Sequence, residues 1–303
     1  MQNKRYLKQA EQLLKVLPHI AKEDVFALKG GTAINFFWRD FPRLSVDIYL
    51  TYLPIQEREL SLVNISDRLA SIQVRLERIF TNIKVTQKLN ASKINGLILN
   101  LDGATVKVEP NTTIRGAVFP VVNKKLCTKA EEKFELSTTV NSLSLEDLYG
   151  GKICGALDRQ HPRDLFDVKL LMENEGITIG VVKAFVFYLI SHDRPMVEVL
   201  DPGLQDISQL FENEFAGMTS EDVKLEDLIS VRSELISKIK TSLTDEQKNF
   251  ILSFKNKKPE WELSGIDGIE NYPSVKWKLM NLRKMDVKKH AAAYEKLKEY
   301  LLG

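Results

Sequence analysis

The sequence predicts an α+β protein, with a mixed α/β-type sheet early in the chain and a mainly helical C-terminal part. Short apolar runs separated by glycine turns fill the first part, and Asp102-Gly103 is the strongest short signal for a β-hairpin. From about residue 176 onward the apolar spacing is mostly that of helices. We therefore expect a core domain over residues 1–175 and a mainly helical domain over residues 176–303.

The composition is that of an ordinary globular chain of 303 residues, 44% hydrophobic and 28% charged, with a net charge of +2. A near-neutral total says little about nucleic acid, because binding depends on local patches of charge. Cys127 and Cys154 lack metal-ligand spacing and are expected to be reduced thiols. The N-terminus lacks the apolar core of a signal peptide, and no stretch approaches the ~20 apolar residues of a membrane span. We expect a cytoplasmic protein with no membrane partner.

The first elements alternate between helix and strand. Residues 4–17 carry apolar side chains at helical spacing, and Pro18 is expected to end that helix. Residues 24–28 predict a short buried strand that ends in a tight turn at Gly30-Gly31. A second helix is expected to begin at Thr32, directly after this turn.

The stretch RLSVDIYLTY, residues 43–52, alternates with a period of two, which is typical of a strand. Its apolar residues point one way, and the residues that point the other way are Ser45, Asp47, Tyr49 and Thr51. A carboxylate and a phenol are therefore neighbours on the polar face. Residues 65–79 then predict a helix.

A hairpin with its turn at Asp102-Gly103 follows, and we expect Asn95-Gly96 to open it. The return strand over residues 104–111 places Glu109 on its polar face, while Pro110 is expected to limit the strand just after it. Further along, Ser144–Asp147 resembles a capping box with Asp in place of Glu or Gln, and it opens a helix. A loop at residues 158–162 separates this helix from a second one.

Two features of the core could carry chemistry. In the GGT turn, Gly30-Gly31 allows the backbone to approach a phosphate closely, and the N–H groups at the start of a helix attract anions. Asp47 and Glu109 both lie on the polar face of strands that we expect to be antiparallel, and their hard oxygen atoms are ligands that Mg²⁺ prefers. The alternative reading of these residues is a plain turn and two solvated strand positions.

A third feature combines Lys152 with the helix start RDLFD, residues 163–167. Asp164 and Asp167 are three residues apart, so they share one face of the helix. A lysine suits a triphosphate as a point charge, and an aspartate nearby could orient it or take part in proton transfer. The alternative is a cluster of charges that complements the helix dipole.

The order of these pieces makes the chain resemble the AbiEii family of nucleotidyltransferase toxins, which are relatives of the MenT toxins in the DNA polymerase β-like nucleotidyltransferase superfamily. The stretches that carry the resemblance are GGTAINFF (30–37), RLSVDIYLTYLP (43–54), VKVEPN (106–111), KICGALDRQHPRDLFDV (152–168), FILSFKNKKPEW (250–261) and NYPSVKWKLMNL (271–282). The resemblance thus covers nearly the whole chain, and it implies a polymerase β-like nucleotidyltransferase core with a helical C-terminal lobe.

The resemblance also implies a function. Family members are the toxin half of a type IV toxin–antitoxin or phage-exclusion system, usually with an AbiEi-type antitoxin, and those that are understood transfer nucleotides from an NTP to acceptors such as tRNA 3′ ends.

By position, the implied nucleotide-binding residues are Gly30, Gly31, Thr32, Ser45, Lys152 and Arg163. Asp47 would hold Mg²⁺, and Glu109 would bind metal or activate the attacking hydroxyl. One of Asp164 and Asp167 would be the essential aspartate of the last motif, and the sequence leaves open which.

Tyr49 departs from the family pattern, because the strand motif DxD would place a second aspartate and metal ligand there. A phenol with a pKa near ~10 is neutral at pH 7 and cannot replace a carboxylate. We therefore expect an enzyme by ancestry whose activity is crippled, either as a natural escape variant or by a deliberate change that permits production of a toxic protein. The alternatives are a binding module that retains NTP or RNA affinity without turnover, and a kinase-like or protein AMP-transferring activity.

Three other features have simpler interpretations. His161 is expected to be a loop residue, and Trp261 and Trp277 to be packing anchors. The basic tail, which we define as Lys255, Lys257, Lys258, Arg283, Lys284, Lys288 and Lys289, is typical of a solvated face. If these charges share one surface, they form a track for RNA phosphates.

Overall fold

The computed structural model describes residues 3–303, which form two compact units. The first unit extends to Ser144 and includes the later segment Ala216–Asp222, while the second comprises Leu145–Phe215 and Val223–Gly303. The boundary expected after residue 175 therefore falls inside the second unit.

The first unit is built on a seven-stranded mixed sheet. Its strands are β1 Phe26–Lys29, β2 Asp47–Tyr52, β3 Lys84–Asn90, β4 Lys93–Leu101, β5 Ala104–Asn111, β6 Val122–Lys125 and β7 Thr139–Ser142. Its helices are α1 Lys4–Ile20, α2 Gly30–Ala33, α3 Arg58–Ile79 and α4 Thr128–Phe134, and a π-helical segment, Ile34–Trp38, continues α2. The strand order is β3-β4-β5-β2-β1-β7-β6. The β2–β5 and β1–β7 pairs are parallel, and the other pairs are antiparallel.

The helices α1 and α3 cover one face of this sheet, α1 over β5 and α3 over β4. The alternation of the strands sends Leu97 and Leu99 on β4, and Val106 and Val108 on β5, into that core, where each is at most 1% exposed. The opposite face receives the polar side chains of β2 and β5. The two faces predicted from the sequence for β2 and β5 are thus confirmed.

The helix α1 runs through Pro18 to Ile20, so the predicted stop at Pro18 is wrong. Proline removes one helical hydrogen bond. However, Ile20 is only 1% exposed, and the additional residues of the helix bury it in the core.

The first strand of the hairpin is longer than predicted, and the return strand has the predicted bounds, 104–111. Asn95-Gly96 lies within β4, and the β3–β4 turn is formed by Ala91 and Ser92, which have φ of 45° and 65°. The Asp102-Gly103 turn is confirmed, with φ of 51° and 76°. The strand β5 continues through Pro110, because its pairing with β2 extends to Asn111 although its pairing with β4 ends at Val108.

The segment Ala216–Asp222 belongs to the first unit because it lies beside the chain that leads into β2. The amide of Leu44 donates to the Met218 carbonyl over 2.8 Å, and Arg43 and Thr219 form an isolated antiparallel bridge. The chain therefore returns to the sheet unit after the first helices of the second unit are complete.

The second unit contains only helices among its regular elements. They are α5 Leu145–Arg159, α6 Pro162–Glu173, α7 Ile179–Ser191, α8 Met196–Leu200, α9 Ser208–Glu214, α10 Leu225–Ser242, α11 Asp245–Lys255, α12 Pro273–Lys284 and α13 Val287–Leu302, with 3₁₀ turns at 261–264 and 269–271. The mainly helical character predicted after residue 176 is confirmed, and it already begins at α5. Within the described part of the chain, no helix combines the length and the apolar character that crossing a membrane requires.

The helix α7 is the core of this unit, and α5 and α12 pack against it. At the α5–α7 crossing the backbones approach so closely that a Cβ atom on Gly150 would lie 2.6 Å from the Cβ of Ala184. Because α5 and α6 share this core with α7 and α10, the chain has no compact boundary near residue 175. Trp261 packs against Phe250 and Phe254, as expected for a packing anchor.

Candidate active site

The GGT turn connects β1 to α2 and is fixed to β2 by side-chain hydroxyls. Thr32 Oγ1 donates to the Asp47 carbonyl over 2.6 Å and lies 2.8 Å from Ser45 Oγ. Since the only hydroxyl hydrogen of Thr32 goes to Asp47, Ser45 is the donor in the second contact. Both side chains are buried, so their hydroxyl groups hold the turn against the strand. The first N–H groups of α2 lack partners within the helix and remain the phosphate-binding candidates.

Both glycines of this turn are required by their surroundings. Gly30 has φ +71°, and a Cβ atom there would lie 3.3 Å from Cδ2 of Tyr49. A Cβ atom on Gly31 would lie 2.5 Å from Nη2 of Arg43, which is itself only 2% exposed. Arg43 also donates to the Leu44 carbonyl over 2.8 Å. A buried guanidinium therefore lies behind the turn and adds a fixed positive charge to it, a role that the sequence did not reveal.

Asp47, Tyr49 and Glu109 lie on the same face of the sheet, but the two strands that carry them run parallel and not antiparallel as predicted. In the parallel β2–β5 pair, Tyr49 stands opposite Glu109 and Asp47 stands opposite Lys107. Tyr49 is 40% exposed, so it occupies a surface position of the strand and not a core position.

Glu109 has a lysine partner that the sequence did not indicate. Lys88 Nζ on β3 lies 2.5 Å from Glu109 Oε1. On this face, Asp47 and Glu109 are the carboxylates that the family resemblance assigns to metal binding. Between residues 3 and 303, no group of three or more His, Cys, Asp and Glu side chains could hold a metal ion. Because position 49 supplies no carboxylate, Asp47 would need further ligands, such as the phosphates of a bound nucleotide, to hold a divalent ion.

In the second unit, α5 and α6 bring Lys152, Asp164 and Asp167 together. Lys152 Nζ lies 2.7 Å from Asp164 Oδ1 and 3.0 Å from Asp167 Oδ2, and Arg159 Nη2 lies 2.7 Å from Asp164 Oδ2. Both aspartates are buried, at 5% and 0% exposure. Burial alone would raise the pKa of Asp164, but Lys152 and Arg159 outweigh it and hold that pKa well below its usual range. Both aspartates share Lys152, so contact with this lysine does not distinguish them.

The start of α6 is organised by His161, which is the N-cap residue and not a simple loop residue. Its Nδ1 accepts from the Arg163 amide over 3.1 Å, so Nε2 carries the hydrogen of the neutral ring and donates to Glu214 over 3.0 Å. Burial lowers the pKa of His161, although the hydrogen bond to Glu214 opposes this shift. Arg163 also contacts Glu214, with 3.2 Å between Nη2 and Oε2. Its charge is therefore partly balanced by a residue 51 positions later.

Five of the seven residues of the basic tail are exposed, Lys257 is half-buried and Lys255 is buried. Lys255 is 5% exposed at the end of α11, and burial lowers its pKa. Its side chain therefore cannot join a surface track, whereas Arg283, Lys284, Lys288 and Lys289 are exposed on α12 and α13. Trp277, on α12, is 36% exposed.

Comparisons with known proteins agree with this architecture. The sequence matches the family described as "Nucleotidyl transferase AbiEii toxin, Type IV TA system" over residues 12–281. No curated protein matches the chain. Among solved structures, it is similar to MenT4, a nucleotidyltransferase toxin from Mycobacterium tuberculosis, with a TM-score of 0.59 and 14% sequence identity over 92% of this chain and 97% of MenT4. At this identity the likeness concerns the fold, and it confirms the α+β nucleotidyltransferase architecture expected from the sequence. Because the family match covers most of its length, the chain belongs to the AbiEii nucleotidyltransferase toxins of type IV toxin–antitoxin systems.

Proposed function

We propose that this chain is a toxin that transfers a nucleotide from an NTP to an acceptor hydroxyl, such as the 3′ end of a tRNA, and that Tyr49 impairs its chemical step. The observation that carries the proposal is the position of Tyr49. It lies on the exposed face of β2, opposite Glu109 and two residues from Asp47, where a metal ligand is expected and not a core residue.

In the proposed reaction, the acceptor oxygen attacks the α-phosphorus of the NTP, the bond from that phosphorus to the bridging oxygen breaks, and pyrophosphate leaves. The amide groups of the Gly30–Thr32 turn bind phosphate oxygens, and the buried charge of Arg43 supports them. Glu109 is the candidate base for the hydroxyl proton. A divalent ion, when bound, neutralises phosphate charge, and Asp47 is the strand residue that would hold it.

Within the second unit, Lys152 is the candidate phosphate ligand. An ammonium group has three donors, and two of them point to Asp164 and Asp167. This arrangement fixes the lysine in one geometry, with one donor direction left for a phosphate oxygen. We propose that the aspartates orient Lys152 toward a phosphate, and that Arg163 at the start of α6 adds positive charge to the second unit.

The decisive experiment compares the natural chain with Tyr49→Asp. Each labelled NTP is incubated with bulk tRNA and each protein in Mg²⁺, and the labelled product is identified. We expect Tyr49→Asp to transfer nucleotides at least about a hundredfold faster, because it restores a carboxylate ligand. Tyr49→Asn is the matched control, since it has the size of Asp without the charge, and it should remain slow. Equal rates for the natural chain and Tyr49→Asp would refute the impairment.

A second candidate function is a binding module without turnover. Tyr49 and the Lys88–Glu109 pair favour it, because one expected metal ligand is replaced and another carboxylate is already balanced by a cation. In this case the natural chain binds an NTP or RNA in equilibrium measurements, while Tyr49→Asp gains no transfer. A label that appears in protein instead of tRNA would indicate an AMP-transferring or kinase-like activity.

The proposed partner is an AbiEi-type antitoxin, in agreement with a family of toxin–antitoxin systems. The direct test is co-expression of the chain with the product of its neighbouring gene. We expect the antitoxin to restore growth to cells that express Tyr49→Asp. Growth arrest that persists in its presence would contradict this partner.

A further inference from the structure

Lys88 and Glu109 form an ion pair that reaches across an intervening strand. Lys88 lies on the edge strand β3 and Glu109 on β5, with β4 between them. Neighbouring strands lie about 4.8 Å apart, so the two side chains together span roughly 10 Å of sheet. The distance between Lys88 Nζ and Glu109 Oε1 is nevertheless only 2.5 Å.

Gly96 makes this crossing possible. It stands opposite Lys88 in the β3–β4 register, and the next residue, Leu97, stands opposite Val108. A Cβ atom on Gly96 would lie 3.3 Å from Cδ of Lys88 and 3.1 Å from the Val108 carbonyl oxygen. The lysine side chain therefore lies directly over the glycine, and a larger residue at position 96 would displace it.

The pair does little to stabilise the fold. The two side chains are 43% and 25% exposed, and ion pairs of this kind are screened by water. Its main effect is on the charge of the sheet face. Tyr49, directly opposite Glu109 on β2, adds no negative charge at neutral pH, so the lysine neutralises the carboxylate that remains in this row.

We propose that the ammonium group of Lys88 permanently occupies the cation-binding position beside the Glu109 carboxylate. It takes the position that a divalent ion would need at this carboxylate, so that the sheet face accepts at most one such ion, at Asp47. Lys88 is then a positioning residue that holds Glu109 near the proposed nucleotide site. The proposal rests on the proposed function for the identity of that site, but the competition between lysine and metal does not depend on turnover.

The test measures Mn²⁺ binding to the full chain without nucleotide or acceptor, by electron paramagnetic resonance of the free ion. Lys88→Met is introduced into the natural chain and into Tyr49→Asp. We expect Lys88→Met to increase Mn²⁺ affinity at least about tenfold in the Tyr49→Asp background, and to add a second bound ion, because both carboxylates of the row are then open to metal. Gly96→Ala, which pushes the lysine away, should change the affinity in the same direction.

The matched control is Lys84→Met, which removes the same charge from the same strand and the same face, four residues away. It should change the affinity by less than about twofold, because screening by water weakens the effect of a distant exposed charge. Equal affinities for Lys88→Met and its parent in both backgrounds would overturn the proposal, as would equal gains from Lys84→Met and Lys88→Met. Because the measurement involves no turnover, a failure of nucleotide transfer in the Tyr49→Asp experiment would leave this result unaffected.

Discussion

At the level of single residues, the buried cluster on α5 and α6 depends on one ammonium group. Lys152 contacts both Asp164 and Asp167, and its side chain is only 9% exposed. Removing one partner of a buried ion pair leaves charges without compensation, which is usually far worse than losing a surface pair. The cluster therefore has a structural role in addition to the proposed phosphate contact.

We predict that Lys152→Met lowers the free energy of unfolding by about 3 to 5 kcal/mol at pH 7. Urea unfolding, followed by circular dichroism, measures the change. Lys169→Met is the control, because Lys169 forms an exposed pair with Glu173 within α6 and should change stability by no more than about 0.5 kcal/mol. Similar losses of stability for the two variants would contradict the prediction.

The same cluster predicts a dependence on pH. The pKa of Asp164 is lower in the folded chain than its ordinary value of 3.8, so the unfolded chain takes up the proton first as the pH falls. The contribution of Asp164 to stability is complete above about pH 5 and is lost progressively through and below the ordinary pKa. The difference between the natural chain and Lys152→Met should therefore shrink in acid.

Several residues of the site can be assigned from the sequence, and others cannot. Asp47, Tyr49 and Glu109 fall on the correct face because strand alternation is a local property. The roles of Lys88 and Arg43 cannot be predicted from the sequence. Their contacts depend on strand register and on close packing over glycine, which no local pattern encodes. Position 96, a glycine inside a strand, is the signal that points to such an arrangement, since a strand glycine often marks a close approach.

At the level of elements, the crossing of α5 and α7 depends on a glycine. A Cβ atom on Gly150 would lie 2.6 Å from the Cβ of Ala184 and 2.8 Å from backbone atoms of α7. Backbone atoms cannot move aside as a flexible side chain does. The two helices would have to separate, and the core of the second unit would be packed less tightly.

We predict that Gly150→Ala destabilises the chain by about 1 to 3 kcal/mol through overpacking, although alanine is the better helix former. Gly155→Ala is the matched control in the same helix, because its nearest contact is the flexible end of Arg159, 3.1 Å away. The control should be neutral or slightly stabilising in thermal unfolding. A stabilising effect of Gly150→Ala would show that the helices separate easily.

The elements themselves are predicted well where periodicity is long and poorly where a single residue decides a boundary. The strands β2 and β5 and the Asp102-Gly103 turn follow from alternation and turn chemistry. The signals at Pro18 and Asn95-Gly96 predict the wrong element boundaries. Burial of Ile20 and pairing of β4 with both neighbouring strands override the local conformational preference at these positions. Non-local packing decides such cases, and a local signal cannot report it.

At the level of the whole molecule, the net charge is near zero although the chain contains one acidic and one basic region. Residues 211–246 carry a net charge of −5, and residues 247–303 carry +5. Lys255 is buried, so the exposed part of the basic tail is carried mainly by α12 and α13. This is where the track for RNA phosphates, the alternative to a solvated face, is best tested.

We predict that Arg283→Gln with Lys284→Gln weakens tRNA binding at low salt and reduces the slope of log affinity against log salt by about one for each phosphate that the variant no longer neutralises. Filter binding over a salt series measures both. Lys238→Gln with Lys240→Gln removes equal charge from the acidic region and should leave the slope unchanged. Binding without salt dependence in the natural chain would exclude a phosphate track.

The exposed position of Tyr49 also has a genetic consequence. Codons for aspartate and tyrosine differ only in their first base, so a single transversion converts one residue into the other. Because position 49 faces away from the apolar core of the sheet, both residues are compatible with the fold. If Tyr49 impairs the toxin as proposed, a lineage can inactivate the toxin by one mutation and still produce a folded protein. Reversion of the same base restores the activity.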